Sequence, residues 1–232
     1  MSIRDVKGEV DDLIPVQTVL LSVSDKTGLT EFAQGLVGMN PEILLLSTGG
    51  TYTALAQAVP KNLVEVAKYT EFPEMEGGLV KTLHPKIHAG LLGERNNSAH
   101  QEYLKQTLGG AKFIDMVVVN LYPFAKKISE PNVTFEGARG NVDIGGPTML
   151  RAAAKNFLSC APVCDPTDYG SILQQLEARK GFTTFDQRFG LMQKVFAQTA
   201  KYDADIAGFM ARQNPDVTRA GYKFRAESMQ RI

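Results

Sequence analysis

A predominantly parallel α/β sheet packed between helices is the fold class the sequence predicts, and three observations predict it. Short continuous apolar runs recur at residues 18–24 (TVLLSVS), 42–47 (EILLLS) and 113–121 (FIDMVVVNL). Strands apolar on both sides belong to parallel sheets with helices on both faces. The first two runs each pass through a glycine-containing turn into a stretch of helical spacing, the order of a strand–loop–helix unit. The chain has 232 residues, 44% of them hydrophobic, which suits one large domain with a substantial core.

Taken in order, residues 1–17 read as a loose lead-in. The strand at 18–24 runs into Asp25-Lys26-Thr27-Gly28, and Leu29, Phe32, Ala33 and Leu36 then mark a helix over 29–37. The strand at 42–47 enters the turn Ser47-Thr48-Gly49-Gly50-Thr51, followed by a helix over 52–58, and 63–66 is a third strand. Residues 70–86 (TEFPEMEGGLVKTLHPK) hold two prolines, two glycines and little periodicity, the pattern of a long functional loop. A helix is expected over 98–108, the central strand over 113–121, and a further strand over 157–164. Asp165-Pro166-Thr167-Asp168 then caps a helix. From 184 to 212 the spacing of Phe185, Phe189, Met192, Val195, Phe196, Ile206, Phe209 and Met210 predicts a helical extension, closed by Pro215 and a polar tail over 215–232. The implied division is a lead-in at 1–17, a main domain at 18–182, a helical extension at 183–214 and the tail.

Composition narrows the function. Lys+Arg and Asp+Glu both number 25, so no global field draws the chain to nucleic acid or to a membrane surface, and any anion site is local. The partner expected is a small molecule. The charged start MSIRDVKGEVDD is not a signal peptide, and no apolar run approaches a bilayer span, which reads as cytoplasmic. Cys160 and Cys164, four apart in an expected strand, lie roughly 13 Å apart at about 3.3 Å per residue, too far for a disulfide, and read as buried thiols.

In a parallel sheet the strand-to-helix loops open on the carboxyl edge, where helix N-termini present free N–H groups. The loops 22–28 and 47–51 therefore project together. Hydroxyls, backbone amides and Lys26 are what a phosphate monoester needs, although neither loop is a G-x-x-x-x-G-K-[ST] or G-x-G-x-x-G motif. Residues 80–85 (VKTLHP) add Lys81 and His84, and the end of the central strand adds Asn120 and Tyr122. The stretch 141–156 (NVDIGGPTMLRAAAKN) sets Asp143 before a double glycine, with Arg151 and Lys155 one turn apart on a helix. Lys81, Tyr122, Asp143 and Lys155 are thus expected to converge on one crevice. His84 and His88 are spaced i, i+4 with Pro85 between them and no adjacent glutamate, so H-E-x-x-H is absent and no metal is expected.

These residues carry a resemblance. SVSDKTG (22–28), LLSTGGT (45–51), VKTLHPKIH (80–88), VVVNLYPF (117–124), DIGGPTMLRAAAKN (143–156) and DPTDY (165–169) closely resemble the IMP cyclohydrolase family, collinearly from about Val19 to Met210. The resemblance implies a methylglyoxal synthase-like, Rossmann-like three-layer fold. It also implies closure of the second purine ring of 5-formamidoimidazole-4-carboxamide ribotide (FAICAR) to give IMP, with no cofactor. Ser22, Ser24, Lys26, Thr27, Ser47, Thr48, Gly49, Gly50 and Thr51 would hold the 5′-phosphate and ribose, and Thr82, Asn120, Gly145 and Gly146 would join Lys81 and Asp143 around the base. Asp143 would accept the proton of the attacking amide, with Lys81, Tyr122 and Lys155 serving the oxyanion and the departing water. The family commonly has an arginine where Leu79 stands here, and Arg139 and Arg151 are the substitutes the sequence offers.

The family usually carries a transformylase on the same chain, so 232 residues imply a stand-alone cyclohydrolase, with a separate transformylase as supplier, or a piece of a longer protein. The resemblance and the long apolar helix together imply a homodimer. Two rival readings remain at this point. A nucleotide-binding regulatory domain needs the phosphate loops without the four catalytic candidates, and a methylglyoxal synthase needs the cradle without the base-surrounding segments.

Overall fold

The computed structural model describes residues 9–225, so residues 1–8 of the expected lead-in (1–17) and residues 226–232 of the expected tail (215–232) lie outside the described residues. The chain forms two compact units. One runs to Leu121 and includes Ile144–Thr199, and the other comprises Tyr122–Asp143 with the residues from Ala200 onward.

The first unit begins with β1 (Ile14–Pro15), which pairs antiparallel with β7 (Phe182–Thr183) as a short ribbon. The sequence reading did not foresee it, since two-residue strands, one of them ending in proline, have no period to detect. Then follow β2 (Thr18–Val23), α1 (Leu29–Met39), β3 (Leu44–Ser47), α2 (Gly49–Leu55), β4 (Leu63–Glu65), α3 (Val66–Thr70), α4 (Pro85–Leu92) and α5 (Ser98–Glu102), which continues as a π-helical turn over Tyr103–Thr107. The central strand is β5 (Met116–Asn120). After it, the unit resumes with α8 (Gly145–Lys155), β6 (Ala161–Val163), α9 (Tyr169–Ala178) and α10 (Phe185–Ala211), whose residues to Thr199 belong here.

The five-stranded sheet has the order β4-β3-β2-β5-β6, and every neighbouring pair is parallel. Alternate residues face opposite ways, and both directions are buried. Val19, Leu21, Met116, Val118, Ala161 and Val163 pack with α1 and α9 through Phe32, Leu36, Ile172 and Leu176. Leu20, Leu46, Val117 and Val119 pack with α4 and α8 through Ile87, Leu91, Met149 and Leu150. The continuous apolar runs are the sequence image of this two-sided burial.

Several elements differ from the sequence expectation. The strand expected over 157–164 shrinks to Ala161–Val163, because the chain leaves α8 through a turn in which Ser159 and Cys160 N–H donate to Asn156 O at 2.9 and 3.0 Å, while Phe157 packs edge-on against Phe185 and Phe189. Cys160 and Cys164 therefore flank a strand; both are free and buried, and burial pushes both thiols up to about 12. The helix expected over 52–58 starts earlier, at Gly49. Val66 opens α3 instead of ending β4.

The second unit contains α6 (Phe124–Ile128), α7 (Phe135–Arg139), the last residues of α10, and α11 (Pro215–Ala220). Pro215 begins a helix within the stretch read as tail: Asn214 caps it, accepting the N–H groups of Asp216 and Val217 at 2.8 and 3.3 Å. Phe124 packs edge-on against Tyr202 and Phe209. Arg139 and Tyr222 both bond Glu136, which holds that carboxyl at about 2.

Candidate functional site at the carboxyl edge

From β2 the chain moves outward to β3 and β4, then returns to the other side of β2 for β5 and β6. The two directions separate at the carboxyl ends of β2 and β5, the place where ligands enter open parallel sheets. Asn120, the last residue of β5, ties this point together. Its Oδ1 accepts the N–H groups of Ser24 and Asp25 at 2.7 and 2.8 Å, and its Nδ2 donates to Asp25 O at 2.8 Å. The loop 22–28 is tightened further by Asp25, whose Oδ1 accepts the Thr27 hydroxyl at 2.7 Å and the Thr27 N–H at 2.9 Å. These bonds lower the Asp25 pKa. Asn120 thus shapes the loop, with both ends of its amide already bonded.

The β3–α2 turn is anchored in the same way. Ser47 donates to Leu21 O at 3.0 Å, and Thr51 Oγ1 accepts Val23 N–H at 2.9 Å while donating to Val23 O at 3.1 Å. Ser47 and Thr51 are buried, so these hydroxyls position the turn from beneath. Gly49, at φ +54, takes a backbone conformation that favours glycine.

Two lysines reach this turn. A Cβ at Gly49 would lie 3.1 Å from Lys81 Nζ, and one at Gly50 would lie 3.7 Å from Lys26 Nζ. Both ammonium groups have loose protein partners, Lys26 with Ser24 O at 3.4 Å and Lys81 with Glu74 at 3.6 Å. Glu74 also accepts the Thr48 hydroxyl at 2.8 Å, so one carboxylate of the 70–86 loop bridges the turn and the lysine. That loop is not featureless: Glu76–Gly78 form a 3₁₀ turn, and Gly77, Gly78 and the non-glycine Val80 all have positive φ, at 79, 71 and 66°. Positive φ at a β-branched residue stores strain of the kind found beside binding loops. Thr82 is buried against the start of α8, where a Cβ at Gly145 would meet its Oγ1 at 3.0 Å, and Gly146 is buried beside it in the same turn. His84 caps α4 by accepting Lys86 N–H at 3.1 Å, and burial lowers the pKa of His88.

Two cations beside a glycine turn at the start of α2 make an arrangement suited to a phosphate monoester. The first unit therefore gathers Ser22, Ser24, Lys26, Thr27, Ser47, Thr48, Gly49, Gly50, Thr51, Lys81, Thr82, Asn120, Gly145 and Gly146 along one edge. Lys155 is not among them. It is the exposed last residue of α8, about 15 Å along the helix from Gly145 at about 1.5 Å per residue. Its neighbour Asn156 lines a cavity of about 20 Å³ with Arg95, which pairs with Asp115 at the amino end of β5. Within this chain α8 carries Lys155 to the opposite edge, because a helix between parallel strands runs against them.

Tyr122 and Asp143 belong to the second unit. Tyr122 is exposed, and the Asp143 N–H donates to the Tyr202 hydroxyl at 2.8 Å. The arginines offered as substitutes at Leu79 are engaged elsewhere. Arg139 pairs with Glu136, and Arg151 lies over the Phe196 ring at 5.6 Å. Glu74 and Tyr202 were missed by sequence reasoning. Glu74 was visible only as one of several acids in a loop, and Tyr202 only as a polar-tipped ring in an amphipathic run.

A model of the MGS-like domain matches residues 28–148, and a model of the AICARFT/IMPCHase bienzyme matches residues 153–231. The bifunctional purine biosynthesis protein PurH of Neisseria meningitidis serogroup A is 49% identical over 203 residues, which cover 87% of this chain and 37% of that protein. PurH of Acidithiobacillus ferrooxidans is 47% identical over 207 residues, 89% of this chain and 39% of that protein. The chain thus spans less than two fifths of these curated relatives. The crystal structure of ForH superposes with a TM-score of 0.74 at 32% identity, covering 84% of this chain and 97% of that one. Among the described residues no helix is long and apolar enough to cross a membrane.

Proposed function

The chain belongs to the MGS-like domain family and continues into the segment described by the AICARFT/IMPCHase bienzyme model, and from that premise we propose that it is an IMP cyclohydrolase. The substrate is the formamido ribotide, FAICAR. Its carboxamide nitrogen attacks the formyl carbon and a C–N bond forms; the formyl oxygen takes one proton from that nitrogen and one from the formamide nitrogen, and as its bond to carbon breaks water leaves to give IMP. Both reacting groups are on one molecule, so the protein's work is orientation and charge management, worth several orders of magnitude when the geometry is held.

The observation that carries this reading is the meeting of Lys26 and Lys81 at the Gly49–Gly50 turn. It supports binding of the 5′-phosphate at the carboxyl edge. Thr82 against Gly145 supports a base seated beside that edge. In this proposal Lys81 and Tyr122 stabilise the developing oxyanion and deliver the proton, and Asp143 accepts the proton of the attacking amide. Lys155, at the opposite edge of this chain, has no part in the step as written. No redox group is called for by the chemistry, since no electrons change hands.

The test is to mix the purified chain with the formamido ribotide, without folate or metal, and to follow the ultraviolet change to IMP. Turnover is expected, and Lys81→Ala and Asp143→Asn should each lower kcat by about 10² or more. A folded chain that binds IMP without turning over the ribotide would replace this reading with a nucleotide-binding regulatory domain.

A further inference from the structure

We infer that Tyr202 is the positioning residue for Asp143, holding the backbone of residues 141–143 from both sides through one hydroxyl. The inference rests on the reading of Asp143 as the proton acceptor and names a residue that reading does not use. Tyr202 Oη accepts the Asp143 N–H at 2.8 Å and donates toward Asn141 O at 3.5 Å. Both ends of the turn are therefore referred to one oxygen atom.

That oxygen is itself well placed to act as a fixed point. Tyr202 lies on α10 and is 8% exposed, with its ring edge-on to Phe124 at 6.3 Å. Phe124 is edge-on in turn to Phe209, about two turns further along α10, at 5.9 Å. A tyrosine ring has two side-chain torsions, and three packed aromatics leave its hydroxyl little room to move. Burial, the Asp143 and Asp203 charges and Tyr122 all raise the phenol's pKa, so the hydroxyl keeps its proton at neutral pH and can accept and donate at once.

The segment being held needs such a hold. The N–H groups of Asn141 and Val142 bond back to Ala138 O and Arg139 O at 3.0 and 3.2 Å, and the next N–H along, that of Asp143, is the one given to Tyr202. An aspartate side chain is short, and the position of its carboxylate follows its backbone closely. A displacement of about 1 Å at such a group can cost about 10² in rate. The two ends of this contact also fall in the two matched segments: Asp143 in the MGS-like match and Tyr202 in the AICARFT/IMPCHase match. The helix that looked like packing alone thus supplies a part of the reaction machinery.

Tyr202→Phe separates the hydroxyl from the ring. Expected in ribotide closure is a kcat about tenfold lower with KM and the IMP dissociation constant within about twofold of wild type. Hydrogen exchange of the peptide spanning residues 140–144 should quicken about fivefold at the Asp143 amide, the factor for loss of one ordinary hydrogen bond. A kcat within twofold of wild type would overturn the inference, as would unchanged exchange or a Tyr202→Phe chain that fails to fold, which would assign the hydroxyl to stability. Phe124→Leu, which loosens the ring and keeps the hydroxyl, should lower kcat less than Tyr202→Phe; an equal or greater loss would mean that packing is the whole role. If the wild-type chain turns over no ribotide, the cyclohydrolase reading fails, and the exchange measurement still decides whether Tyr202 holds Asp143.

Discussion

The two edges of the parallel sheet hold charge in opposite ways. At the amino edge Asp115, 2% exposed, accepts the N–H groups of Gln17 and Thr18, both at 2.7 Å, and pairs with Arg95. Arg188 has no exposed surface and donates to Phe157 O, Asp12 O, Asp11 O, and the carbonyl and hydroxyl of Thr183 at 2.8–3.1 Å. At the carboxyl edge Lys26 is exposed, Lys81 is half-buried, and their contacts are 3.4 and 3.6 Å long. Buried charge with short bonds to backbone serves architecture, since it can neither leave nor accept another partner without a desolvation cost. Loosely held charge beside a glycine turn is available to a ligand.

Substitutions at the two edges should therefore fail in different measurements. The largest effect is expected for Arg188→Met, which strands four backbone carbonyls. Unfolding in urea should show a loss of about 3 kcal/mol or more, with KM of the remaining folded protein unchanged. A stability close to wild type would remove the distinction between the edges.

Gly49→Ala comes next. The new Cβ would sit 3.1 Å from Lys81 Nζ at a φ of +54. Steady-state kinetics should show KM for the ribotide rising about tenfold, while stability falls by only about 1 kcal/mol. A loss confined to stability would make this turn architectural like the other edge.

The smallest effect sharpens the comparison from within the carboxyl edge. Lys194 bonds Asp165 at 2.7 Å and Asp168 at 2.8 Å. Chiefly through Lys194, and through Thr167, the Asp165 carboxyl is held down to about 2, below its ordinary 3.8. A carboxyl depressed in the folded state adds stability above its unfolded pKa and loses it as pH falls toward the folded value. Wild type should accordingly lose more melting temperature between pH 4 and pH 2 than Lys194→Met does, and the variant should be slightly less stable at pH 7. Parallel acid curves for the two proteins would show that the pair contributes nothing.

How much of this was legible depended on how local each signal was. The apolar runs at β2, β3 and β5 are local records of two-sided burial, so the parallel sheet and the loops at its carboxyl edge could be read directly. Lys155 stands at the far end of α8 from Gly145, which its i, i+4 relation to Arg151 could not convey, since that relation gives a helix face and says nothing about which end of the helix meets the sheet edge. Ser47, Thr51 and Asn120 have the chemistry of ligand contacts, yet each bonds the backbone of a neighbouring strand or loop, which only the register reveals. The five-residue helices α6 and α7 are too short for a 3.6-residue period to repeat. Tyr202 and Asp143 are joined across 59 positions, and no local pattern encodes such a bond.

The position of β2 also has a consequence in time. On one side it pairs with β3, whose residues follow soon after it, and on the other Val19 pairs with Met116. During synthesis β2, β3 and β4 can assemble early, while the other edge of β2 stays unpaired until β5 has been made. Non-local parallel pairing of this kind is slow, and an apolar edge left open invites pairing with other chains. The strand at the middle of the finished sheet is thus an edge strand for much of its birth, and the arrival of β5 is the event that ends its exposure to aggregation.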